Sequence, residues 1–205
     1  MQWMTPVGRG FDSSFGFLGG SEDHFLHTTG GGLFGCNSNR TSRAVDLYRS
    51  NASGAEWCLD HVGDRHCSGT HGAYLFNAET QDIIAAHDAS RPLFLYVATQ
   101  DAHGPDQITA EYSELFNSSF TSDFAVYNGM VAAADDLYGN MTRALRAKDM
   151  YEKTLIILSA DNVSARIISP LREGCLTDDG FGRVGRVARP SSTRAATARI
   201  TGPVK

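Results

Sequence analysis

The 205-residue sequence has no apolar run long enough to cross a membrane. Its first residues have neither the basic start nor the apolar stretch of a signal peptide. Acidic residues are absent from Gly180 onward, and aromatic residues are absent after Phe181. These absences predict no membrane span, no signal peptide in this chain, and no stacking surface for a nucleic-acid partner.

The charge is divided unevenly between a long body and a short tail. The net charge is −5, yet the segment 181–205 contains only basic charged residues. We therefore predict a folded body over residues 1–180 and a basic, poorly ordered tail over residues 181–205. Hydrophobic residues make up 41% of the chain and charged residues 20%, which is typical of a globular protein.

Five Asn-x-Ser/Thr sequons and a group of cysteines indicate a secretory history. Three of the four cysteines lie in one turn-rich stretch, which fits either a loop disulfide in an oxidising compartment or unpaired thiols. These are Cys36, Cys58 and Cys67. The sequons begin at Asn39, Asn51, Asn117, Asn140 and Asn162, of which the first four are glycosylation candidates.

The regular part of the sequence alternates helices and strands. Residues 8–67 are rich in Gly, Ser, Asn and Asp and are predicted to form long loops. Helices are predicted over 74–86 and 124–148, and strands covered on both faces over 92–98 and 154–160. This order predicts an α/β fold with a mostly parallel sheet and helices on both faces. The predicted apolar face of the second helix consists of Phe124, Tyr127, Val131, Ala134, Leu137, Met141 and Leu145.

Polar residues follow both predicted strands, at the sheet edge where ligands gather. Asp161 and Asn162 offer a carboxylate and an amide oxygen, which suit Ca²⁺ or Mg²⁺, although an Asx turn is the alternative. His103 is suited to proton donation or anion contact, or is an ordinary loop histidine. His24 and His27 are predicted to line the surface, because the neighbouring glycines argue against the helix that a metal-binding spacing would need.

A series of short motifs resembles the sulfatase family of the alkaline phosphatase superfamily, and most closely its arylsulfatase B and related arylsulfatase members. The order and spacing of the motifs match over roughly residues 5–175, which is more specific than any single motif. The motifs are Gly8-Arg9-Gly10-Phe11-Asp12, Ser21-Glu22-Asp23-His24, residues 92–96, Gln100-Asp101-Ala102-His103-Gly104-Pro105, Tyr127-Asn128-Gly129-Met130, Gly139-Asn140-Met141-Thr142 and Leu158-Ser159-Ala160-Asp161-Asn162.

The resemblance implies a partial alkaline-phosphatase-like sandwich, with residues 1–180 as part of a catalytic domain. It also implies a sulfuric ester hydrolase acting on an aryl sulfate or a sulfated glycan, located in the secretory pathway, in lysosomes or outside the cell. By the family pattern, Asp161 and Asn162 would bind one Ca²⁺ together with two earlier aspartates. His103 is similar to the histidine that contacts the sulfate group, and the family nucleophile is a formylglycine made in a Cys/Ser-x-Pro/Ala-x-Arg motif.

The sequence departs from this pattern in three places. Only twelve residues run from Met1 to Asp12, which leaves no room for the family's nucleophile motif and first aspartates, so formylglycine is expected to be absent. Cys36 lies in Cys-Asn-Ser-Asn-Arg, which lacks the required Pro or Ala and follows the Gly-Phe-Asp motif, where the nucleophile should precede it. Cys175 stands where a sulfate-binding lysine is expected, and a thiol cannot replace a permanent cation.

These departures predict an incomplete chain that is inactive alone and carries only part of the calcium site. Two other interpretations stay open. The first is a non-catalytic sulfatase remnant that binds a cation or a sulfated glycan. The second is a phosphatase or phosphodiesterase of the same superfamily, which the Gly-Arg-Gly-Phe-Asp and Gln-Asp-Ala-His motifs disfavour.

Overall fold

The first third of the chain contains short strands where only loops were predicted, which makes that prediction wrong. In the computed structural model the described residues are 4–20, 22–28, 44–62, 65–116, 122–161 and 199–201. The strands escaped prediction because each is at most four residues long, which is too short to show a clear alternation of apolar and polar residues. Three form an antiparallel sheet in the order β1-β2-β3, and two form a hairpin. Their bounds are β1 Ser13–Gly16, β2 Tyr48–Asn51, β3 Gly54–Trp57, β4 His61–Val62 and β5 Arg65–His66.

Helix α1 spans Gly72–Ala86 and confirms the first predicted helix. It begins at His71, whose side-chain Nδ1 accepts a hydrogen bond from the Ala73 N–H at 3.1 Å. A side-chain acceptor at this position satisfies one of the amide groups that the first turn leaves without a partner. Leu75 and Ile84 are buried on the inner face of the helix.

Ion pairs attach α1 to the first sheet and to the hairpin. Glu79 of α1 pairs with Arg49 of β2 and with Arg65 of β5, the latter at 3.2 Å from the guanidinium Nε. Arg65 also pairs with Asp82 one turn further along α1. These contacts orient the helix, because a guanidinium group bonds carboxylates in a fixed planar geometry.

Helix α3, Ser122–Ala147, confirms the second predicted helix but shows a different apolar face in its first half. Phe124 and Val131 of the predicted face are exposed, whereas Ala125 and Met130 are buried. The cause is the short helix α2, Ala110–Ser113, which packs against this half of α3. The second half follows the prediction, with Leu137, Met141 and Leu145 buried.

The contact between α2 and α3 depends on Gly129. A Cβ atom at Gly129 would lie 3.1 Å from the backbone of both Tyr112 and Ser113 and 3.2 Å from Ile108. A side chain there would therefore press on the backbone of α2 itself. The Tyr112 hydroxyl donates a 2.8 Å hydrogen bond to Asp136, which fixes the same contact further along α3.

A second sheet has the order β6-β8-β7 and packs against α1 and α3. Both β6 and β7 pair antiparallel with β8, so they run parallel to each other with β8 between them. The α/β fold with helices on a sheet is confirmed, and the segments following β6 and β7 leave the sheet at the same end. The sheet was predicted to be mostly parallel, but both of its described strand pairs are antiparallel, because β8, which was not predicted from the basic tail, lies between β6 and β7. The bounds are β6 Phe94–Leu95, β7 Leu155–Ile157 and β8 Arg199–Thr201.

The prediction that β6 and β7 are covered on both faces is wrong for the described residues. Leu95 is buried beneath the helices, but Phe94 is 44% exposed and Leu155 59% exposed. Leu158, directly after β7, is 63% exposed. The helices α1 and α3 cover one face, and on the other the Phe11 ring reaches Phe94 at a centroid distance of 5.7 Å. In the described part of the chain, no helix has the length and hydropathy needed to cross a membrane.

Candidate functional site

The segment 22–28 folds into a tight turn organised by Asp23. The Asp23 carboxylate accepts hydrogen bonds from the N–H groups of Phe25 at 3.0 Å and Leu26 at 2.8 Å. The Asp23 carbonyl accepts a third from the His27 N–H at 2.8 Å. An Asp side chain that bonds backbone amides two and three residues on is typical of such turns. The turn directs His24 and His27 into the protein.

His24 and His27 are buried, 0% and 1% exposed, so the prediction that they line the surface is wrong. The Nε2 of His24 contacts the His103 carbonyl at 3.3 Å. The Nε2 of His27 contacts the carbonyls of Cys67 at 3.1 Å and Thr70 at 3.0 Å. The turn that Asp23 organises carries both imidazoles inward.

His71 is the third buried histidine of this region and was not predicted. Its ring stacks on that of His24 with centroids 5.1 Å apart, and its Nε2 contacts the Gln107 carbonyl at 3.0 Å. Burial lowers the pKa of His24 to about 4, and the neighbouring His71 adds to the shift. Burial also lowers the pKa of His27 and of His71, against the opposing effect of their carbonyl partners. All three rings are therefore neutral at pH 7.

Gln107 joins the histidine-bearing segments. Its side-chain oxygen accepts from the His24 N–H at 2.7 Å, and its side-chain nitrogen donates to the Asp23 carboxylate at 2.9 Å. Its carbonyl contacts His71, as described above. A second glutamine, Gln100, donates from Nε2 to the Glu22 carbonyl at 2.6 Å. The loop after β6 is therefore bonded to the turn of residues 22–28 at several points.

Two acidic side chains accompany the histidines. Burial raises the pKa of Asp101 to about 7, and its Oδ1 is a buried atom for which the described residues supply no hydrogen bond. Burial, with a further contribution from the nearby Asp46 carboxyl, raises the pKa of Glu22. One ligand atom each from His24, His71 and Asp101 lie within 4.8 Å of one another. The site is thus a buried group of lone-pair donors.

His103 lies in the loop after β6 and is exposed. Its Nδ1 is 2.7 Å from the Gly104 carbonyl, so this nitrogen carries the proton and Nε2 is left for other contacts. Glu22 is near enough to interact electrostatically with the His103 ring. The imidazole is thus accessible to a ligand, while its backbone carbonyl is bonded to the buried His24.

The predicted calcium ligands fall at the limit of the described residues. Asp161 follows β7 and is exposed, and Asn162 lies outside the described residues. Within the described part of the chain, Asp161 joins no group of three His, Cys, Asp or Glu side chains suited to a metal. Because Ca²⁺ takes six to eight oxygen ligands, the described residues do not make up a calcium site.

The structure contains one of the possible loop disulfides, while glycosylation of the sequons stays a prediction. Cys58 and Cys67 form a disulfide that encloses the hairpin β4–β5, while Cys36 and Cys175 lie outside the described residues. Among the sequons, Asn51 is exposed at the end of β2, and Asn140 is half-buried in α3. The candidates Asn39 and Asn117 lie outside the described residues.

A small apolar cavity lies between the second sheet and α3, apart from these polar groups. It has a volume of about 70 Å³ and is lined by Leu95, Val97 and Met141 among others. An apolar lining offers no partner for a charged sulfate ester. The polar surface around His103 is therefore the better candidate for ligand binding.

Comparison with known proteins decides the family. A family model described as Sulfatase matches residues 3–174. The chain belongs to the sulfatase family. Arylsulfatase J of Mus musculus is 32% identical over 191 residues, which cover 90% of this chain and 29% of that protein. The sulfatase chain therefore spans less than a third of the length of this curated relative.

Two solved structures share the sulfatase fold of this chain. One is described as Ps i-CgsB in complex with k-i-k-neocarrahexaose, and the other as Ps i-CgsB. Each is 21% identical, and each alignment covers 76% of this chain and 33% of the other. The TM-scores are 0.56 and 0.55, which supports the predicted partial α/β sandwich.

Sequence reasoning singled out His103 and Asp161, whose roles stay predictions, but missed that His71, Asp101 and Gln107 lie together around His24. No local motif marks His71, although a polar residue directly before a predicted helix is a capping signal. Gln100 and Gln107 flank His103 within one loop, yet their partners Glu22 and His24 are about 80 residues away. Only the tertiary fold brings these segments together.

Proposed function

We propose that this chain forms part of the substrate-binding side of a sulfuric ester hydrolase of the arylsulfatase type. One observation carries the proposal: the sulfatase family match spans residues 3–174, a range that contains His103 and Asp161. In this proposal His103 contacts the sulfate group. Asp161 and Asn162 supply two oxygen ligands to a divalent cation, expected from the family to be Ca²⁺.

The exposed position of His103 supports its proposed role. The protonated Nδ1 points to the Gly104 carbonyl, which leaves Nε2 as the nitrogen that can meet a ligand. Protonation of that nitrogen gives the ring a positive charge and a second donor for a sulfate oxygen. Glu22 lies near enough to interact electrostatically with this ring.

The class of substrate is proposed from the relatives. One similar structure is described in complex with a neocarrahexaose, and the curated relative is named an arylsulfatase. We therefore propose a sulfate ester, on a glycan or on an aryl group, as the substrate. The sequons and the Cys58–Cys67 disulfide support a location in the secretory pathway, in lysosomes or outside the cell.

The 205 residues alone are proposed to be inactive. They contain no Cys/Ser-x-Pro/Ala-x-Arg motif, and a covalent route needs an activated nucleophile. The chain is assayed with a fluorogenic aryl sulfate in the presence of Ca²⁺ and a formylglycine-generating enzyme. Turnover is expected to equal the buffer control. Turnover that disappears in both Asp161→Ala and His103→Ala would overturn this part of the proposal.

The binding role of His103 needs a separate test, which does not depend on turnover. Affinity for a sulfated oligosaccharide is measured at pH 6 and pH 8 for the wild type and for His103→Ala. We expect His103→Ala to bind more weakly by at least about tenfold at pH 6, as for loss of one charge-assisted hydrogen bond. His61→Ala removes another exposed histidine and is the matched control. Equal losses in both variants would contradict a specific role for His103.

A second candidate function is a non-catalytic sulfatase remnant that binds a cation or a sulfated glycan. Cys175, where a sulfate-binding lysine is expected, favours it. Mass spectrometry of the native protein separates the two functions. A native chain that carries formylglycine in an amino-terminal extension supports the hydrolase. A native chain that starts at Met1 supports the remnant.

A further inference from the structure

The buried group of His24, His71 and Asp101 has the composition of a transition-metal site. Two imidazoles and a carboxylate each offer a ligand atom, and these atoms lie within 4.8 Å of one another. Zn²⁺ binds such nitrogen and oxygen ligands at about 2.0–2.2 Å, which puts neighbouring ligand atoms roughly 3.4 Å apart. The ligand atoms are therefore at most about 1.4 Å further apart than in a bound site.

The hydrogen bonds around the two rings match those of metal-bound histidines. A ligand histidine usually donates one ring N–H to a carbonyl and binds the metal with the other nitrogen. His24 contacts the His103 carbonyl through Nε2, and His71 contacts the Gln107 carbonyl through Nε2. Both rings therefore keep Nδ1 as the lone-pair nitrogen. The Nδ1 of His71 now accepts from the Ala73 N–H, and metal binding would replace that bond.

Two buried atoms of the group have no hydrogen bond in the described structure. They are the Nδ1 of His24, whose side chain is fully buried, and the Oδ1 of Asp101. Burying such atoms without a partner is costly, so native proteins rarely leave them unsatisfied. A cation between them would satisfy both at once. The lowered pKa of both histidines also keeps them in the neutral form that a metal requires.

We infer that His24, His71 and Asp101 bind one divalent transition-metal ion, of the Zn²⁺ class, that joins the turn 22–28, the start of α1 and the loop after β6. Three protein ligands leave a fourth position for water, as in other open zinc sites. Nitrogen-rich ligation distinguishes this site from an oxygen-only Ca²⁺ site. The inference does not depend on the proposed function, because no ligand of this site has a role there.

The test uses the whole 205-residue chain, freed of metal with a chelator and titrated with Co²⁺. We expect one Co²⁺ per chain with the visible absorption bands of a four-coordinate ion, which Zn²⁺ displaces and excess Ca²⁺ does not. Asp101→Asn keeps the shape of the side chain and is expected to weaken binding by at least about tenfold. If this variant does not unfold cooperatively, His24→Gln replaces it with the same expected loss.

The chain supplies a matched control. Asp60, His61 and His66 form a second group with the same residue types, but all three are exposed. The double variant His61→Ala/His66→Ala is expected to leave the Co²⁺ bands and the affinity unchanged. Absence of the bands in the wild type would overturn the inference. The inference would also be overturned if the Co²⁺ bands were lost in His61→Ala/His66→Ala but persisted in Asp101→Asn.

Discussion

Two groups in this chain contain the same side chains, two histidines and one aspartate, in opposite surroundings. His24 and His71 stack at 5.1 Å inside the protein, beside the buried Oδ1 of Asp101. His61 and His66 lie 4.7 Å apart on the hairpin β4–β5, each within 3.0 Å of an oxygen of the exposed Asp60. Residue type is therefore a poor guide to the role of a histidine. Burial decides whether its lone pairs must be satisfied by the protein or can be left to water.

The largest difference between the two groups should appear when one histidine of each is removed. His71→Ala deletes the side chain that begins α1 and leaves the Gln107 carbonyl without that contact. We expect the free energy of unfolding to fall by roughly 2–4 kcal/mol, from a lost cap and unsatisfied buried groups. His66→Ala should change it by less than about 0.5 kcal/mol. Urea unfolding of both variants measures the contrast, and His71→Asn should recover about 1 kcal/mol by restoring the cap.

The disulfide lies between the exposed and the buried histidines. Its removal should cause the next largest loss of stability. Cys67 follows His66, and its carbonyl contacts the buried His27. The Cys58–Cys67 bond joins residues nine positions apart, and opening a loop of this size should cost roughly 2–3 kcal/mol. The double variant Cys58→Ala/Cys67→Ala is compared with the wild type by thermal unfolding. An unchanged midpoint would mean that hydrogen bonds alone hold the hairpin in place.

The pH dependence of stability should come from the buried histidines. The pKa of His27 is lowered on folding, so the unfolded chain binds the proton more readily. Its contribution to stability is therefore present above an unfolded pKa of about 6.5 and is lost as the pH falls below it. The slope is at most about 1.4 kcal/mol per pH unit for one proton. Urea midpoints between pH 7.5 and 5, in chelator, should show a flatter profile for His27→Gln. If the wild type and His27→Gln show the same pH dependence, other groups cause the loss of stability in acid.

The smallest effect is expected at the exposed group. Asp60 is 65% exposed and pairs with exposed histidines, and such pairs are worth at most about 1 kcal/mol and often less. Asp60→Asn should shift the free energy of unfolding by less than about 0.5 kcal/mol. The measurement is repeated at low and high salt to detect any screened contribution. If Asp60→Asn lost as much free energy of unfolding as His71→Ala, burial would not be what separates the two groups.

The sequence predicted the parts of this fold that repeat a strong local pattern. Helices α1 and α3 and the apolar strands have long periodic or continuous apolar runs, and the structure contains all of them. It missed the first sheet, because β1 pairs with β2 across more than thirty residues of loop-like composition. It also missed which half of α3 would be covered by α2. Pairing and packing partners that are distant in sequence leave no periodic signal near either one.

In the candidate site, too, the sequence predicted what a local pattern marks and missed what depends on distant partners. His103 and Asp161 are candidates because each follows an apolar strand and stands in a motif that resembles the family pattern, and their roles stay predictions. His24 was noticed but assigned to the surface, because its surroundings are polar and rich in glycine. The turn that Asp23 organises carries it inward, where His71 completes the group. A local sequence pattern can predict such a turn, but it cannot predict what the turn will meet.

The close contact at Gly129 limits which residues evolution can place there, although Gly129 lies away from the site. Its bare backbone rests against α2, and α2 directly follows the segment in which Ile108 touches the same glycine and Gln107 bonds the histidine turn. A mutation that adds one methyl group there would displace the whole connection between α3 and the buried group. A smaller residue at position 108 would relieve only the side-chain contact and not the contacts with the backbone of Tyr112 and Ser113. Position 129 should therefore stay glycine across the lineage, although it contributes no atom to the site.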